Sequence, residues 1–274
     1  MKPSLYKPIP ARVDRIIDET SNIRTFVIVP QEPIPFKAGQ FVELTVPGFG
    51  EAPFTPSSSP TVSDRLEVTI MRAGTVTGQL HALKPGAPIG IRGPLGRPYP
   101  LEKYYGREVL IVGGGVGLAP LRALLFALFA EIGKYKKIIV RYGAKTPNDL
   151  VYRQAVSEAW GRKDIDLMLS VDKRDGTWTG NEGVVTTILG KDKLQCDPKG
   201  GVAVVCGPPI MMKFATLKLL ELGYSDANIY LSMEKNMSCG VGKCGHCRLG
   251  HYYACKDGPV FTYDQVKSLP KIWD

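Results

Sequence analysis

Apolar and polar residues alternate in short runs through the first third of the chain. Such alternation is typical of half-buried strands, and it predicts strands at about 11–18, 23–29, 40–46, 66–72 and 87–92. Proline and glycine are frequent in the connections, and one short helix fits at 76–83. Short strands with frequent turns predict an antiparallel barrel or sandwich.

From residue 107 onward the pattern changes to strands that alternate with helices. Continuous apolar runs predict buried strands at 108–112, 137–142, 165–171 and 201–206. Helices are predicted at 118–132, 149–160, 183–189 and 209–222. The helix at 118–132 is apolar nearly all round, so it must be covered on most faces. This order predicts an open α/β sheet of about five strands, with functional loops after the strand C-termini.

Length and composition indicate a soluble globular protein of two domains plus a small extra segment. The chain has 274 residues, of which 44% are hydrophobic and 22% charged. Residues 1–6 show no apolar signal sequence, and the run 118–129 is too short for a membrane span. Unpaired cysteines without a signal sequence predict a reducing, cytoplasmic location.

The chain carries a net charge of +9. This charge fits either a solvated basic surface or the attraction of anionic nucleotides or an acidic partner. The chain has no long basic run and no nucleic-acid-binding motif, so nucleic acid is not an expected partner.

Four of the six cysteines lie close together near the C-terminal end, in the spacing C-x4-C-x2-C-x7-C. The predicted metal ligands are Cys239, Cys244, Cys247 and Cys255. The spacing matches a plant-type [2Fe–2S] site, with glycines that let the backbone approach the cluster. A structural zinc site is the main alternative, although zinc sites usually have two C-x2-C pairs at a longer separation. Disulfide or redox use is a further alternative, and the nearby His246 and His251 are interpreted as neighbours of the site or as exposed.

Two stretches of the N-terminal region are candidates for binding a flat, anionic ligand. Pro53 and Pro56 stiffen the backbone around Phe54 and Thr55, where an aromatic ring and hydroxyls could hold a heterocycle. In the stretch 71–80, a Gly–Thr turn opens a short helix and presents N–H groups to an anion. A plain Ser/Pro loop is the alternative for the first stretch.

A third candidate is the run 113–117, which is glycine-rich and lies between a predicted strand and a helix. Glycines in that place let a pyrophosphate approach the backbone and the helix dipole, although the spacing is not the common G-x-G-x-x-G. A tight turn is the alternative. Cys206 ends another strand and is either functional or a buried structural thiol.

Taken in order, these stretches resemble the ferredoxin–NADP reductase superfamily, and the resemblance covers nearly the whole chain. They are Pro53-Phe54-Thr55-Pro56-Ser57-Ser58, Gly74-Thr75-Val76-Thr77, Gly93-Pro94-Leu95-Gly96, Gly113-Gly114-Gly115-Val116-Gly117-Leu118-Ala119-Pro120, and Cys206-Gly207-Pro208-Pro209-Ile210-Met211. The cysteine segment is similar to one branch only. That branch holds the electron-transfer subunit of dihydroorotate dehydrogenase B, the gamma subunit of cytoplasmic sulfhydrogenases and the corresponding subunit of anaerobic sulfite reductase. The stretches 242–247 and 51–53 are most similar to the latter two.

The resemblance implies an antiparallel Greek-key flavin-binding barrel over 1–102, an open parallel α/β nucleotide-binding domain over 103–229 and a small [2Fe–2S] module over 230–274. It implies an electron-transfer (diaphorase) subunit that uses FAD, NAD(P)H and the cluster. The expected partners are iron–sulfur or catalytic subunits of a larger redox complex of the sulfhydrogenase or sulfite reductase type. A dihydroorotate dehydrogenase B subunit is the first alternative. A non-redox nucleotide-binding module with structural zinc is a remote one.

Residues are carried over position by position. The flavin contacts implied are Pro53, Phe54, Thr55, Pro56, Ser57, Met71, Arg72, Gly74, Thr75, Val76 and Thr77. The nucleotide contacts implied are Gly113, Gly114, Gly115, Gly117, Leu118, Ala119, Pro120, Asp172, Cys206, Gly207, Pro208, Pro209 and Met211. The catalytic roles expected are a hydrogen bond from Thr55 to flavin N5, Cys206 beside the nicotinamide, and Glu234 as a proton relay or else a surface carboxylate.

One feature departs from the family pattern, and a second concerns the choice between NADH and NADPH. Many relatives have an arginine where this chain has Ala52, so Arg72 would have to supply the charge, and FMN is a minor alternative to FAD. Asp172 favours NADH through a ribose hydroxyl, whereas Lys173 and Arg174 favour a 2′-phosphate and hence NADPH. NADH is the expected nucleotide.

Overall fold

The computed structural model describes residues 6–158, 160 and 164–273. The chain forms two compact units. The first comprises Met1–Tyr99, Arg122–Ala127 and Met233–Val260, and the second Pro100–Leu121, Leu128–Ser232 and Phe261–Asp274. Residues 1–5 lie outside the described residues, and so does most of the stretch on which the expected lack of a signal sequence rests. Residue 159, within the helix predicted at 149–160, also lies outside them. The division at 102 and 229 stays a prediction.

The first unit contains an antiparallel sheet of six strands in the order β4-β3-β6-β1-β2-β5. The strands are β1 (Ile9–Asp18), β2 (Ile23–Pro30), β3 (Phe41–Val46), β4 (Gly50–Phe54), β5 (Leu66–Met71) and β6 (Pro88–Leu95), and helix α1 (Thr75–Ala82) lies between the last two. Apolar side chains from alternate positions form the core, including Val13, Phe26, Leu44, Leu66 and Ile91. The sequence pattern identified this core because inward positions recur with a period of two.

Strand β4 is a structural feature that the sequence pattern missed. The stretch around Pro53 was predicted to be stiff and extended, yet it pairs with β3 through Glu43↔Pro53 and Val42↔Phe54. Because β4 is the edge strand of the sheet, the missing N–H of Pro53 breaks no interior ladder. The strand leads directly into the candidate flavin motif.

The second sheet has seven strands in the order β10-β9-β8-β7-β11-β12-β15. They are β7 (Glu108–Gly114), β8 (Lys137–Ala144), β9 (Ile165–Val171), β10 (Asn181–Glu182), β11 (Val202–Cys206), β12 (Ile229–Ser232) and β15 (Val260–Thr262). Neighbouring strands from β10 to β12 are parallel. The sheet has more strands than the five or so predicted, because β10, β12 and β15 were not predicted. Strands of two to four residues give too short a pattern to detect.

The second unit contains the helices α3 (Arg153–Glu158), α4 (Pro209–Leu222) and α6 (Tyr263–Val266). Helix α2 (Leu118–Ala130) is divided between the two units. The helix predicted at 183–189 is wrong: only a 3-10 helix forms, Val185–Ile188. Gly183 has a φ of +118°, and β-branched residues follow it, so an α-helix is disfavoured there. The helix predicted at 149–160 begins late, at Arg153, because Tyr152 has a φ of +55°.

The cysteine segment contains the short hairpin β13 (Arg248–Leu249) and β14 (Tyr252–Tyr253), followed by α5 (Ala254–Asp257). Among the described residues, no helix combines the length and apolar character that a bilayer crossing requires. An antiparallel β unit and a parallel α/β sheet are therefore present in the predicted order, which confirms the predicted fold class.

Candidate functional site

The segment after β4 is anchored to β5 by buried polar contacts. The backbone N–H of Ser57 donates to the carbonyl oxygen of Glu67 at 2.7 Å. The Ser57 hydroxyl lies 3.0 Å from that of Thr69, which in turn lies 2.7 Å from the hydroxyl of Thr25. All three hydroxyl-bearing residues are buried. This chain of hydroxyls fixes the backbone of the predicted flavin motif.

Ser58 provides a test of whether this segment fits a polar ligand. Its side chain is buried, and its hydroxyl has no hydrogen-bond partner within the described part of the chain. Buried hydroxyls almost always have a partner, so an orphaned one beside the motif fits a ligand with polar edges. Thr55 is half-buried and Pro56 buried. These features fit the ring system of a flavin.

The start of α1 fits an anionic group. The Thr77 hydroxyl accepts the N–H groups of Ala73 at 2.9 Å and Gly74 at 2.8 Å. This fixes the turn, while the next N–H groups, those of Thr75 and Val76, belong to the first helical turn and lack acceptors within the helix. Arg72 just before the turn is exposed. The predicted flavin contacts at 71–77 thus lie together at one helix start, whose N–H groups suit an anion.

Gly117 and Cys206 are brought together at the C-terminal ends of two adjacent parallel strands. Residue Gly113 pairs with Cys206 in the register of β7 and β11. A Cβ on Gly117 would lie 2.6 Å from the carbonyl oxygen of Cys206 and 2.6 Å from the Cα of Gly207. Only glycine permits this approach. The predicted pyrophosphate loop and the predicted nicotinamide thiol therefore share one edge of the sheet.

Met211 packs between the same two loops. A Cβ on Gly114 would lie 2.6 Å from the Met211 Cε, and one on Gly207 would lie 2.2 Å from it. Gly207 also has a φ of +157°, where other residues are strained. The two glycines thus leave room for the methionine, which keeps the loops together. Cys206 itself is buried.

Asp172 follows β9, two strands away from β7 in the sheet. Its carboxyl is exposed, and partial desolvation raises its pKa, with Lys145 acting in the opposite direction. The neighbouring Arg174 is engaged elsewhere, since its Nε lies 3.2 Å from the Glu182 carboxylate. Asp172 is thus exposed for a ribose hydroxyl, whereas Arg174, one of the two residues that favour a 2′-phosphate, has a carboxylate partner. The other, Lys173, is exposed.

The cysteine segment has its backbone arranged for thiolate ligands. Cys239 Sγ accepts the N–H groups of Val241, Lys243 and Cys244 at 3.3–3.5 Å. Cys255 Sγ accepts the N–H of Gly242 at 3.0 Å. Such N–H···S bonds stabilise thiolates at iron–sulfur clusters. The donor chemistry of this loop therefore fits a cluster.

The four thiols themselves are less uniformly placed. The Sγ atoms of Cys247 and Cys255 lie 3.2 Å apart and both residues are buried, whereas Cys244 is exposed. Within the described residues, no three cysteine, histidine, aspartate or glutamate side chains converge as a complete metal site. The structure thus brings two predicted ligands together and holds a third, Cys239, by its N–H bonds.

The thiol pKa values differ within the segment. Burial opposes ionisation of Cys239, but the N–H donors of Cys244, Val241 and Lys243 outweigh it and lower the pKa of Cys239 to about 6. Burial, with Cys247 alongside, raises the pKa of the Cys255 thiol. Metal binding therefore has to release a proton from Cys255, while Cys239 is more readily a thiolate.

Glu234 lies two residues after β12. The residue is exposed by surface area, yet enough protein surrounds its carboxyl for desolvation to raise the pKa above its usual range. The role of Glu234 as a proton relay stays a prediction, as do the roles of Thr55 and Cys206.

Sequence reasoning missed a buried ionic cluster beside the cysteine segment. Arg92 on β6 is bonded to Glu51 on β4, and Glu43 on β3 lies next to both. Glu43 is fully buried, and burial raises its pKa to about 7, with Arg92 opposing the rise. A glutamate within the mostly apolar run of β3 was the available signal.

Comparisons with known proteins agree with this arrangement. Three family models match the chain: "Oxidoreductase FAD-binding domain" at 10–99, "Oxidoreductase NAD-binding domain" at 111–216, and "Iron-sulfur cluster binding domain of dihydroorotate dehydrogenase B" at 234–267. Sulfhydrogenase 1 subunit gamma from Pyrococcus furiosus is 37% identical over 87% of this chain and 83% of that protein. The chain belongs to this family of flavin- and nucleotide-binding oxidoreductases.

Other members are similar over most of their length. Sulfhydrogenase 2 subunit gamma of Pyrococcus furiosus is 36% identical over 94% of this chain and 96% of that protein. A probable dihydroorotate dehydrogenase B (NAD(+)) electron transfer subunit from Methanocaldococcus jannaschii is 34% identical over 97% and 93%. A solved NADH-dependent reduced ferredoxin–NADP oxidoreductase superposes with a TM-score of 0.75 at 28% identity, covering 97% of this chain and 93% of that one.

These comparisons confirm the superfamily resemblance and the iron–sulfur branch predicted from the cysteine segment. The chain is a flavin-dependent NAD(P)H oxidoreductase subunit with FAD-binding, NAD-binding and iron–sulfur cluster binding domains.

Proposed function

We propose that the chain is the electron-transfer subunit of a sulfhydrogenase-type complex, in which electrons pass between NAD(P)H and a partner subunit through FAD and a [2Fe–2S] cluster. One observation carries this proposal. Gly240, beside the first cysteine ligand, lies against the flavin barrel, where a Cβ would be 2.7 Å from Leu95 Cδ1. A cluster held there is adjacent to the flavin unit.

The cluster type rests on the ligand spacing and on the N–H···S bonds. The run C-x4-C-x2-C with a fourth cysteine beyond it is that of plant-type [2Fe–2S] sites. A bound flavin would supply the chemistry that links two-electron hydride transfer at the nicotinamide to one-electron transfer at the iron–sulfur centre. The chain contributes the orientation of these groups.

Several of the predicted site residues have a specific role in this proposal. The loop Gly113–Gly117 binds the nucleotide pyrophosphate at the start of α2, and Asp172 accepts a hydrogen bond from a ribose hydroxyl of NADH. Thr55 donates to the flavin edge, and Cys206 lines the nicotinamide site. Glu234 relays a proton, and desolvation of its carboxyl raises its pKa, which favours the protonated form.

The sulfhydrogenase assignment is favoured by the 37% and 36% identity to two gamma subunits. A second assignment, the electron-transfer subunit of a dihydroorotate dehydrogenase B, is favoured by the family model that matches 234–267. Work in a reducing cytoplasm is also proposed, because no disulfide joins any of the six cysteines, all of which lie among the described residues.

Anaerobic purification followed by visible and EPR spectroscopy with metal analysis tests the proposal. We expect a yellow-brown protein that contains flavin, iron and acid-labile sulfide, and whose cluster is reduced by NADH. A colourless protein that contains zinc would contradict it.

The partner is tested by purifying the native complex and assaying NAD(P)⁺ reduction with hydrogen or dihydroorotate as the electron donor. Activity with hydrogen supports the sulfhydrogenase assignment. Activity with dihydroorotate alone supports the second assignment and rejects the first.

A further inference from the structure

A buried arginine of the flavin barrel is bonded to the backbone of the first cluster ligand. Arg92, on β6, is 4% exposed. Its Nη1 donates to the carbonyl oxygen of Cys239 at 3.3 Å. A guanidinium has five N–H donors in a rigid fork, so one face can hold this carbonyl while the other binds a second group.

The second group is the carboxylate of Glu51. Arg92 Nε lies 3.1 Å and 2.9 Å from the two Glu51 oxygens, and Nη2 lies 2.5 Å from Oε2. The Thr45 hydroxyl donates to the same carboxylate at 2.7 Å. Glu51 is therefore fixed from two strands, and it orients the arginine towards Cys239. Glu51, Arg92 and Cys239 thus link β4, β6 and the cysteine loop.

The backbone of the cysteine loop lies directly on this part of the barrel. Gly240 has a φ of +71°, and a Cβ there would be 2.7 Å from Leu95 Cδ1 and 3.2 Å from Glu43 Oε1. Glu43 pairs with Arg92 across β3 and β6, and it is fully buried. The first cluster ligand is thus seated on a patch of the barrel that contains the Arg92–Glu51 ion pair.

Charges so placed act on the potential of a cluster. Reduction adds one negative charge, and a buried cation nearby stabilises the reduced form much more than an exposed one does. Net charge and hydrogen bonding around the sulfurs are among the factors that set iron–sulfur potentials. Arg92 would raise the potential and Glu51 would lower it.

We propose that Arg92 is a positioning residue of the iron–sulfur site: it holds the backbone at Cys239 and, together with Glu51, sets the reduction potential of the bound cluster. The inference rests on the proposed electron-transfer function, because it requires a redox-active cluster at these cysteines. It extends that function by naming the barrel residues that tune the electron outlet.

The test measures the midpoint potential by EPR-monitored redox titration of the purified full chain, alongside its iron content and melting temperature. Arg92→Gln is expected to shift the potential downward and Glu51→Gln to shift it upward. The double variant, which removes both charges, is expected to fall between the two single variants. Arg92→Lys keeps the charge but not the fork, so its potential stays close to that of the wild type while a chelator removes its iron faster.

Arg12→Gln is the matched control, because Arg12 lies on β1 of the same barrel and its side chain is 58% exposed. Removing this charge should leave the cluster potential unchanged. If Arg92→Gln does not assemble a cluster, Glu51→Gln still tests the sign of the effect.

Shifts in the same direction for both single variants, or shifts no larger than that of Arg12→Gln, would overturn the inference. If NADH reduces the wild-type cluster but the variants show no shift in potential, the role of Arg92 is rejected and the proposed function stands. A wild-type protein without a reducible cluster rejects both this role and the proposed function.

Discussion

The carbonyl oxygen of Cys206 lies 2.6 Å from the place that a Cβ on Gly117 would occupy. The backbone of Gly117 is in the ordinary right-handed region, with a φ of −61°. The demand for glycine is therefore steric and arises from the packing of two loops at one sheet edge. Gly117 lets the turn before α2 sit against the end of β11.

Gly117→Ala should weaken NADH binding. The methyl group has to push the β11 loop away, at about 1–3 kcal/mol for such overpacking, which corresponds to a factor of about 5 to 150 in affinity. Titration of the purified protein with NADH measures this change, and flavin content should stay normal. Gly133→Ala is the control, since a Cβ there meets no atom within 4 Å. Equal NADH affinity in both variants would contradict the prediction.

Cys247→Ser should abolish electron delivery to the partner but spare the reduction of flavin by NADH. The thiol is 1% exposed and its sulfur accepts the N–H of Cys255, so serine leaves a buried ligand position with a poor donor. Stopped-flow absorbance follows flavin reduction, and a one-electron acceptor protein reports electron delivery. Cys196→Ser is the control, because that free cysteine lies outside the segment. Survival of both activities in Cys247→Ser would show that the cluster is not the outlet.

NADH should be preferred to NADPH, and Glu182 should contribute to that preference. The Glu182 carboxylate holds the Arg174 guanidinium at 3.2 Å. Glu182→Gln frees this cation for a 2′-phosphate, so the kcat/KM for NADPH should rise. The pair is exposed, so the gain is about fivefold or less, within the ~1 kcal/mol of a surface ion pair.

Asp172→Ala tests the same preference from the other side, since it should lower kcat/KM for NADH and leave that for NADPH nearly unchanged. Steady-state kinetics with both nucleotides measures the ratio. A wild-type preference for NADPH would refute the assignment of Asp172.

Acidification should destabilise the barrel through His81. Burial is the main cause that holds the pKa of His81 below its usual 6.5, and Arg24 and Arg72 add to it, while its bond to the Ile70 carbonyl opposes it. A pKa lowered in the folded state means that the unfolded chain binds the proton more readily. The stabilising contribution is therefore present above a pH of about 6.5 and is lost as the pH falls towards the folded pKa.

His81→Gln removes this titration while keeping a donor for the Ile70 carbonyl. The melting temperature of the wild type should fall more than that of the variant between about pH 7.5 and about pH 5.5. Parallel pH profiles for the two proteins would show that His81 does not contribute.

The order of strands and helices could be predicted from the sequence because most elements are long enough to repeat their apolar period. Strand β7, with Val109 to Val112 fully buried, is an example. Strand β4 could not be predicted, because Pro53 is acceptable only at an edge, and edge position is a property of the folded sheet. The 3-10 helix at Val185–Ile188 was mistaken for an α-helix because only the backbone shows the positive φ of Gly183.

In the candidate site, too, some residues could be predicted from the sequence and others could not. Cysteine spacing and glycine-rich turns identify residues by local pattern, so Cys239 and Gly117 could be named in advance. The bond from Arg92 to the Cys239 carbonyl joins residues 147 positions apart in the chain, and no local pattern marks it. The approach of Gly117 to Cys206 likewise depends on the pairing of β7 with β11.

The cysteine segment is not equally shielded on all sides, since Cys244 is exposed whereas Cys247 and Cys255 are buried. Oxidants and chelators reach an exposed thiolate first. In the isolated chain, air damage should therefore begin at Cys244 and proceed inward, so that the buried pair is the last to release iron.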